Sequence, residues 1–241
     1  MVTANALIEG KEPAPAGSDG NQANSVPETA VRYERGSRTL KHGDTFAVFD
    51  NNGDAISWPG NPEGIFHRDT RHLSYLSLTV NGRHPLLLSS TLRDDNATLS
   101  CDLTNPEIPL GGGEMLSHDL LHIRKTRFLL NGVCYERLLL RNFDDKECTI
   151  RLDIAFAADF ADLFEIRGKE RNKRGEMTEP EVAKDRVHLA YHGLDGRTRS
   201  TTLVFDPEPQ EISGDRAKYR ITLAPRESRS LFIEIICDES G

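Results

Sequence analysis

Strict alternation of side-chain polarity between Cys148 and Phe156 constrains the fold of this chain more than any other feature of its sequence. Every second residue of the segment is apolar, and the residues between include Thr149, Arg151 and Asp153. A period of two places the apolar side chains on one face of an extended strand and the others on the opposite face. The segment therefore predicts a β-strand with one face in a core and one face in water.

Similar alternation recurs along the chain in short segments separated by turn residues. Asn81-Gly82 and Asn131-Gly132 each follow one such segment and precede another. Asn-Gly predicts a two-residue hairpin, because a type I′ turn requires a positive φ at both central residues. Asp195-Gly196 predicts a third turn, and no long segment has the period of a helix. We predict about eleven strands in an all-β fold, a large antiparallel β-sandwich of the supersandwich type.

Residues 1–36 differ from the rest of the chain. They are rich in Ala, Pro, Gly, Ser and Asn and contain few large apolar residues. Such a segment buries too little apolar surface to offset the entropy of ordering it, so we predict a disordered tail, followed by one sandwich domain over residues 37–241. Inside that domain, residues 106–113 end in three glycines and predict a flexible connection, and the strongly charged residues 167–185 predict a solvated loop.

The chain carries 30 Lys and Arg residues against 38 Asp and Glu residues, a net charge of −8. This balance argues against nucleic acid and an anionic membrane as partners. No apolar run approaches the roughly 20 residues of a membrane helix, and the first residues do not have the pattern of a secretory signal. Four cysteines, none in a C-x-x-C pair, predict reduced buried thiols and a cytoplasmic protein. We predict no metal site and no cofactor.

Residues 64–74, Gly-Ile-Phe-His-Arg-Asp-Thr-Arg-His-Leu-Ser, concentrate charged and titratable side chains in front of a predicted strand. The candidate site residues of this block are His67, Arg68, Asp69 and Arg71. A solubilising loop does not require this density of donors, so we interpret the block as a domain interface or part of a substrate groove. One arginine is expected to pair with Asp69 inside the loop or with a more distant acidic segment.

A second block, residues 158–168, has acidic residues at every third position. Asp159, Asp162 and Glu165 are interspersed with aromatic and aliphatic residues, and Arg167 follows. One or two helical turns here would bury the aromatic rings and present the carboxylates on an adjoining face. We add these four residues to the candidate interface or groove residues and expect Arg68 or Arg71 to reach this acidic run.

Glycoside hydrolysis requires two carboxylates about 5–5.5 Å apart for retention of configuration, or about 6.5–9.5 Å apart for inversion. Carboxylates on neighbouring helical turns reach the shorter separation, but no supporting acid–base partner accompanies them in the sequence. We therefore assign no catalytic residue to this chain.

The two blocks occur in order with residues 81–90, Asn-Gly-Arg-His-Pro-Leu-Leu-Leu-Ser-Ser, with residues 102–106 and with residues 191–196, Tyr-His-Gly-Leu-Asp-Gly. Together they make most of the chain, from about Arg38 to about Ile236, resemble the N-terminal domain of bacterial glycogen debranching enzymes of the amylo-α-1,6-glucosidase type. The resemblance implies a sandwich domain that packs beside a C-terminal (α/α) barrel, or beside a separate catalytic subunit. In that family the barrel carries the catalytic carboxylates and hydrolyses α-1,6-glucosidic branches.

No barrel sequence is present in these 241 residues, so the resemblance implies a non-catalytic accessory domain that shapes an α-glucan groove. This hypothesis predicts an exposed apolar or charged patch around residues 64–74 and 158–168. A mutarotase-like sugar epimerase is one alternative, and it requires His67, His72, His84 or His122 to meet a carboxylate on a concave face. A stand-alone glucan-binding module is the other. It requires Trp58, which is otherwise a cap on the sandwich edge, to line one surface with further exposed aromatic residues.

Overall fold

A computed structural model describes residues 36–57 and 61–240. In chain order the elements are β1 (Arg38–His42), β2 (Thr45–Phe49), β3 (Ala55–Ile56), β4 (Gly64–His67), β5 (Thr70–Leu73), β6 (Tyr75–Val80), β7 (Leu86–Leu92), β8 (Thr98–Thr104), β9 (Ile108–Gly111), β10 (Glu114–Leu116), β11 (Leu121–Leu130), β12 (Val133–Asn142), β13 (Cys148–Ala157), α1 (Leu163–Ile166), β14 (Glu176–Met177), β15 (Glu181–Val182), β16 (Arg186–His192), β17 (Thr198–Asp206), β18 (Glu211–Ser213), β19 (Arg216–Leu223) and β20 (Ser228–Ser240). The predicted tail, residues 1–36, lies outside the described residues except for Gly36, and so does Trp58.

Two antiparallel sheets form the sandwich. The larger, nine-stranded sheet has the order β14-β16-β17-β20-β12-β11-β8-β7, with β15 also beside β16, and the five-stranded sheet has the order β18-β19-β13-β6-β3. Buried side chains from both sheets belong to one hydrophobic cluster. The predicted all-β antiparallel sandwich is therefore confirmed, although short edge strands raise the strand count well above the predicted eleven.

A third sheet, with the order β1-β2-β4-β5, contributes to the same core through Leu40, Phe49 and Leu73. It contains the block of residues 64–74, whose two strands pair antiparallel with a register shift between Ile65 and Phe66. Burial and strand pairing, rather than an open loop, thus hold this block in place.

The β13 prediction is confirmed. The alternate residues from Cys148 to Phe156 that form its apolar face are at most 3% exposed, and the strand pairs with β19 on one side and β6 on the other. A central strand with one apolar face anchors the five-stranded sheet against the core.

The two Asn-Gly pairs adopt the same backbone conformation but different roles. Both have positive φ at both residues, 46° and 76° at Asn81-Gly82 and 50° and 81° at Asn131-Gly132. The second joins β11 to β12 as a hairpin, as predicted. At the first, the tight turn forms, with Val80 and Arg83 hydrogen-bonded across it. The predicted pairing of the flanking strands is wrong, because β6 pairs with β13 and β3 while β7 pairs with β8 in the other sheet.

Contacts of the Asn81 side chain explain this difference. Its Oδ1 accepts from the backbone N–H of Arg151 at 2.6 Å, and its Nδ2 donates to the carbonyl of Pro109 at 3.0 Å. The turn is thus fastened to two other segments, and the chain crosses from one sheet to the other. Pro109 lies in β9, which pairs with β10, so residues 106–113 form half of a hairpin and the predicted flexible connection is wrong.

Charged side chains lie inside the sandwich on β11. Lys125 and Arg127 are each 2% exposed. Lys125 forms an ion pair with Asp54, while Arg127 donates to Glu136 at 2.9 Å and to the carbonyl of Gly53. Buried charges are tolerated when they are paired and hydrogen-bonded, as these are. The described residues contain no helix that could cross a membrane.

Candidate functional site

Three sequence blocks that are far apart in the chain meet at one cleft of about 290 Å³. The β4–β5 hairpin contributes Thr70, the block of residues 158–168 contributes Asp162 and Glu165, and the β16–β17 hairpin contributes Tyr191 and Asp195. We call this feature the cleft. Each of the three blocks belongs to the set on which the sequence resemblance rests.

Arg71 joins the first block to the second. Its Nε and Nη2 donate to the two carboxylate oxygens of Asp159 at 3.1 and 2.5 Å, and its Nη1 donates to the carbonyls of Asn61 and Glu63. The expected link between an arginine of the first block and the acidic run is present, and it uses Arg71. A bidentate pair that also satisfies two carbonyls fixes the relative position of two distant segments.

Gly64 makes room for this arginine. Its φ is 140°, and a Cβ built there would lie 2.4 Å from the carbonyl oxygen of Leu73 and 2.7 Å from Cδ of Arg71. A side chain at position 64 would collide with backbone and displace the guanidinium, so glycine is required here.

Backbone hydrogen bonds continue the junction beside Arg71. The N–H of Arg71 donates to the carbonyl of Ala161 at 2.9 Å, and the N–H of Leu163 donates to the carbonyl of Asp69 at 3.1 Å. Arg68 and Asp69 form the β4–β5 turn with positive φ values of 46° and 65°. Their side chains are exposed. The expectation that an arginine pairs with Asp69 is wrong for Arg71, because its guanidinium binds Asp159 instead.

The predicted helical turn exists as α1, and its two acidic residues form a capping box. Asp162 is the N-cap and accepts from the N–H groups of Phe164 and Glu165 at 2.8 and 2.9 Å, while Glu165 accepts from the N–H of Asp162 at 3.0 Å. The expectation that the aromatic rings are buried holds for Phe160 but is wrong for Phe164, which is 60% exposed. Arg167 is the exposed C-cap residue.

Arginines of the following charged segment cover both capping carboxylates. Arg171 pairs with Asp162, and Arg174 pairs with Glu165 at 3.1 Å. Burial raises the pKa of Asp162, but the hydrogen bonds from Glu165 N–H, Arg171 and Phe164 N–H outweigh burial and lower it overall. All three carboxylates of the acidic run are therefore bound to arginine and are poorly suited to exchanging protons with a substrate.

The β16–β17 hairpin forms the opposite wall of the cleft. Tyr191 stacks on Phe160 with ring centroids 5.7 Å apart, and its hydroxyl accepts from the N–H of Gly175 at 2.7 Å. Asp195 accepts two hydrogen bonds from Arg199, which lower the pKa of this carboxyl to about 2. The hairpin thus supplies the ring of Tyr191, which stacks on Phe160 of the second block, and the fixed ion pair of Asp195 with Arg199 beside it.

Two histidines of the first block lie behind the cleft. His72 is fully buried, and its Nδ1–H donates to the carbonyl of Ser200 at 2.9 Å. Burial lowers the pKa of His72 to about 4. Burial, together with the charge of Arg68, also lowers the pKa of His67, whose Nδ1 lies 2.8 Å from the hydroxyl of Thr45. Both imidazoles are neutral at pH 7 and connect the cleft to neighbouring strands.

Two exposed apolar residues accompany the cleft. Leu194, which lines it, is 70% exposed, and Phe164 on α1 is 60% exposed; among the described residues these are the two most exposed large apolar side chains. Sequence reasoning did not select Leu194, Arg171, Arg174 or Arg199. Leu194 lies in residues 191–196, and Arg171 and Arg174 lie in the charged residues 167–185. Both segments were noted in the sequence, but the spacing of these residues does not link them to the acidic run.

Only one of the four histidines considered for an epimerase meets a carboxylate within the described residues. His122 Nε2 lies 2.8 Å from Oδ1 of Asp102, on the outer face of the nine-stranded sheet. The same carboxylate accepts from Arg124 at 2.7 Å and from Ser89 at 3.2 Å. His84 is exposed.

Comparisons with known proteins agree with this architecture. The profile of a family described as the N-terminal domain of (some) glycogen debranching enzymes matches residues 40–234. No curated protein sequence matches the chain significantly.

Solved structures with the same fold include a protein assigned as a kojibiose phosphorylase, from the human microbiome. The match has 9% identity and a TM-score of 0.51, and it covers 84% of this chain and 30% of that chain. The chain thus spans under a third of the length of that protein. Another is the Slr1438 protein of Synechocystis sp. PCC 6803, with 10% identity and a TM-score of 0.50, over 84% of this chain and 95% of that one. At such identities these likenesses show the fold alone.

Proposed function

Because this chain belongs to the family of N-terminal domains of glycogen debranching enzymes, we propose that it is a non-catalytic accessory domain of a glycoside hydrolase. It packs through the cleft on a C-terminal catalytic barrel, or on a separate catalytic subunit, and shapes the groove that receives an α-glucan. The surface that it presents comprises the carboxylates of Asp159, Asp162 and Glu165, which are held by arginines, the buried Arg71 among them. Phe164 lies beside them.

The convergence of three family blocks on one cleft is the observation that supports this proposal. Their carboxylates are bound to arginines, so they offer a fixed polar surface rather than an acid–base pair. Leu194 and Phe164 stay exposed next to that surface, and apolar side chains at the edge of a polar cleft are typical of a docking site. Arg68, Asp69 and Arg167 are exposed around it and supply further donors and acceptors for a neighbouring domain or for sugar hydroxyls.

The proposal is tested by supplying this chain in trans to the isolated catalytic barrel of a glycogen debranching enzyme. We expect a complex by gel filtration, a raised melting temperature of the barrel, and faster hydrolysis of α-1,6 branches. The variant Phe164→Glu/Leu194→Glu should weaken the complex about 100-fold, because two apolar anchors are replaced by charges. The matched control is Met115→Glu, which changes a side chain that is 55% exposed elsewhere.

The proposal would be contradicted if adding this chain changed neither the melting temperature of the barrel nor its rate of hydrolysis. Equal weakening by Met115→Glu and by the cleft variant would show that the cleft is not the docking surface.

A sugar epimerase is the second candidate, favoured by the contact between His122 and Asp102. Against it, Arg124 and Ser89 already occupy that carboxylate. Anomerisation of α-D-glucose, followed by polarimetry, separates the two functions. The accessory-domain proposal expects no rate above buffer, whereas a rate that disappears in His122→Gln would establish the epimerase.

We also place the protein in the cytoplasm. The four cysteines, Cys101, Cys134, Cys148 and Cys237, are buried free thiols, which is the usual state in a reducing compartment.

A further inference from the structure

We propose that the outer face of the nine-stranded sheet carries a binding site for a linear α-glucan chain, centred on Phe128, Tyr135 and Phe232. The site is separate from the cleft. The choice of an α-glucan among sugars rests on the proposed function, whereas the sugar-binding character rests on the geometry of this face.

Strand register gathers the residues of this site into two adjacent rows. In one row Phe128 pairs with Tyr135, Tyr135 with Glu234, and Glu234 with Val204. The rows cross four neighbouring strands, β11, β12, β20 and β17. The pleat turns all these side chains to the same face of the sheet.

In the second row Arg137 pairs with Phe232, and Phe232 pairs with Asp206. Residues adjacent in sequence to both rows point the other way and are buried, including Glu136 at 4% and Ile233 at 2% exposure. The rows therefore lie on the solvent side, opposite the core.

Aromatic rings on this face are open to a ligand. Phe128 is 42% exposed and Phe232 is 46% exposed. Phe128 and Tyr135 are stacked, with ring centroids 5.0 Å apart and planes 15° from parallel. Soluble proteins rarely leave several aromatic side chains together on a solvated sheet face without a binding role.

The rings border a concave site of about 460 Å³ with polar groups at its edge. Arg137 donates through Nε and Nη2 to the hydroxyl of Ser230 at 3.1 and 3.0 Å, which holds its guanidinium plane in place. Asp206 and Glu234 also line the site, and neither carboxylate forms an ion pair with any residue in the described part of the chain.

This combination matches the chemistry of a pyranose. A sugar ring has an apolar face that packs on aromatic rings and a rim of hydroxyls that hydrogen-bond to carboxylates and guanidinium groups. A purely apolar ligand would cover Asp206, Glu234 and Arg137 without satisfying them, which is costly. An anionic ligand would meet two carboxylates and one arginine, so charge disfavours it.

Calorimetric titration of the full chain with maltoheptaose tests the site. We expect a dissociation constant in the millimolar range and weakening of about tenfold in Tyr135→Ala and in Phe232→Ala, since each loses a ring that packs on the ligand. Phe143→Ala is the matched control, because it removes a phenylalanine that is 39% exposed outside both the cleft and this site, and it should bind as the unaltered chain does. Circular dichroism confirms that each variant is folded.

Three results would overturn the site: no heat of binding up to about 10 mM maltoheptaose, equal binding by Phe232→Ala, or equal affinity for cellohexaose, which carries β-linkages. Sedimentation of the unaltered chain and of Phe232→Glu tests a different occupant. A dimer that the substitution dissociates would show that a second copy covers this face, and would also overturn the proposal. Failure of this site leaves the barrel-docking experiment unaffected, because the two use different residues.

Discussion

Arginine–carboxylate pairs occur in two regions of this protein, and their surroundings differ. Between the sheets, the side chains of Arg127 and Glu136 are each 2% exposed. At the cleft, Arg71 is 8% exposed and its partner Asp159 is 31% exposed, while Arg171 and Asp162 are 36% and 32% exposed. The same chemical pair thus runs from full burial to the surface within one domain.

This gradient separates two uses of charge. A buried pair is compatible with a stable core only while both partners remain, since a lone charge cannot be solvated there. A half-exposed pair keeps much of its contact with water, so its desolvation costs little free energy, and the pair contributes little to stability. The cleft pairs instead hold three segments in a defined arrangement and leave their outer edges accessible.

The largest effect is expected from Arg127→Ala. Removing the guanidinium leaves Glu136 and the carbonyl of Gly53 buried without their donor, so the free energy of unfolding should fall by about 3–5 kcal/mol. Chemical denaturation measures this loss. Arg127→Met/Glu136→Leu should recover much of it, and failure of the double variant to exceed Arg127→Ala would mean that the pair does not determine stability here.

His72, behind the cleft, predicts a dependence of stability on pH. Its pKa in the folded protein is about 4, against an ordinary value of 6.5, so the unfolded chain binds the proton more readily. Neutral His72 contributes about 3 kcal/mol to the free energy of unfolding above pH 6.5, and this contribution is lost as the pH falls towards 4. Between these pH values the free energy of unfolding should fall less steeply with decreasing pH in His72→Gln than in the unaltered chain. Parallel plots of the two free energies against pH would refute the assignment.

At the inner edge of the cleft, Arg71→Ala should lower the free energy of unfolding by about 2–3 kcal/mol, because Asp159 and two carbonyls lose their donor. Asp159→Ala should cost less, since Asp159 is partly solvated. A double-mutant cycle should give a coupling of at least about 1 kcal/mol between the two residues. Additive losses would show that the pair does not act as a unit.

The smallest effect is expected at the outer edge. Asp162→Ala removes the N-cap of α1 and should cost about 1 kcal/mol. Because α1 is short and peripheral, the change should be seen as faster hydrogen exchange at the amides of Phe164 and Glu165 rather than as global unfolding. Asp153→Ala breaks an exposed pair with Arg216 and should leave those amides unchanged.

Comparison of the two regions also shows where sequence reasoning succeeded. The density of charge in residues 64–74 and 158–168 marked the cleft, and spacing predicted the turn that became α1. Nothing marked Lys125 and Arg127, which occupy inward positions of β11 where an apolar residue is usual. Glu136 lies opposite Arg127 in the β11–β12 hairpin, whereas Asp54, the partner of Lys125, is identified only when the sheets are packed together.

The sequence alone determined the all-β class, the faces of strands such as β13, and the conformation of both Asn-Gly turns, because side-chain period and positive φ are local properties. Tertiary structure alone decided that Asn81-Gly82 leads into a different sheet and that Arg71 takes Asp159 rather than Asp69. Alternation states which face of a strand is apolar, but not which strand lies beside it. Pairing over long sequence separations depends on the packing of the whole core, and that packing brings the three blocks of the cleft together.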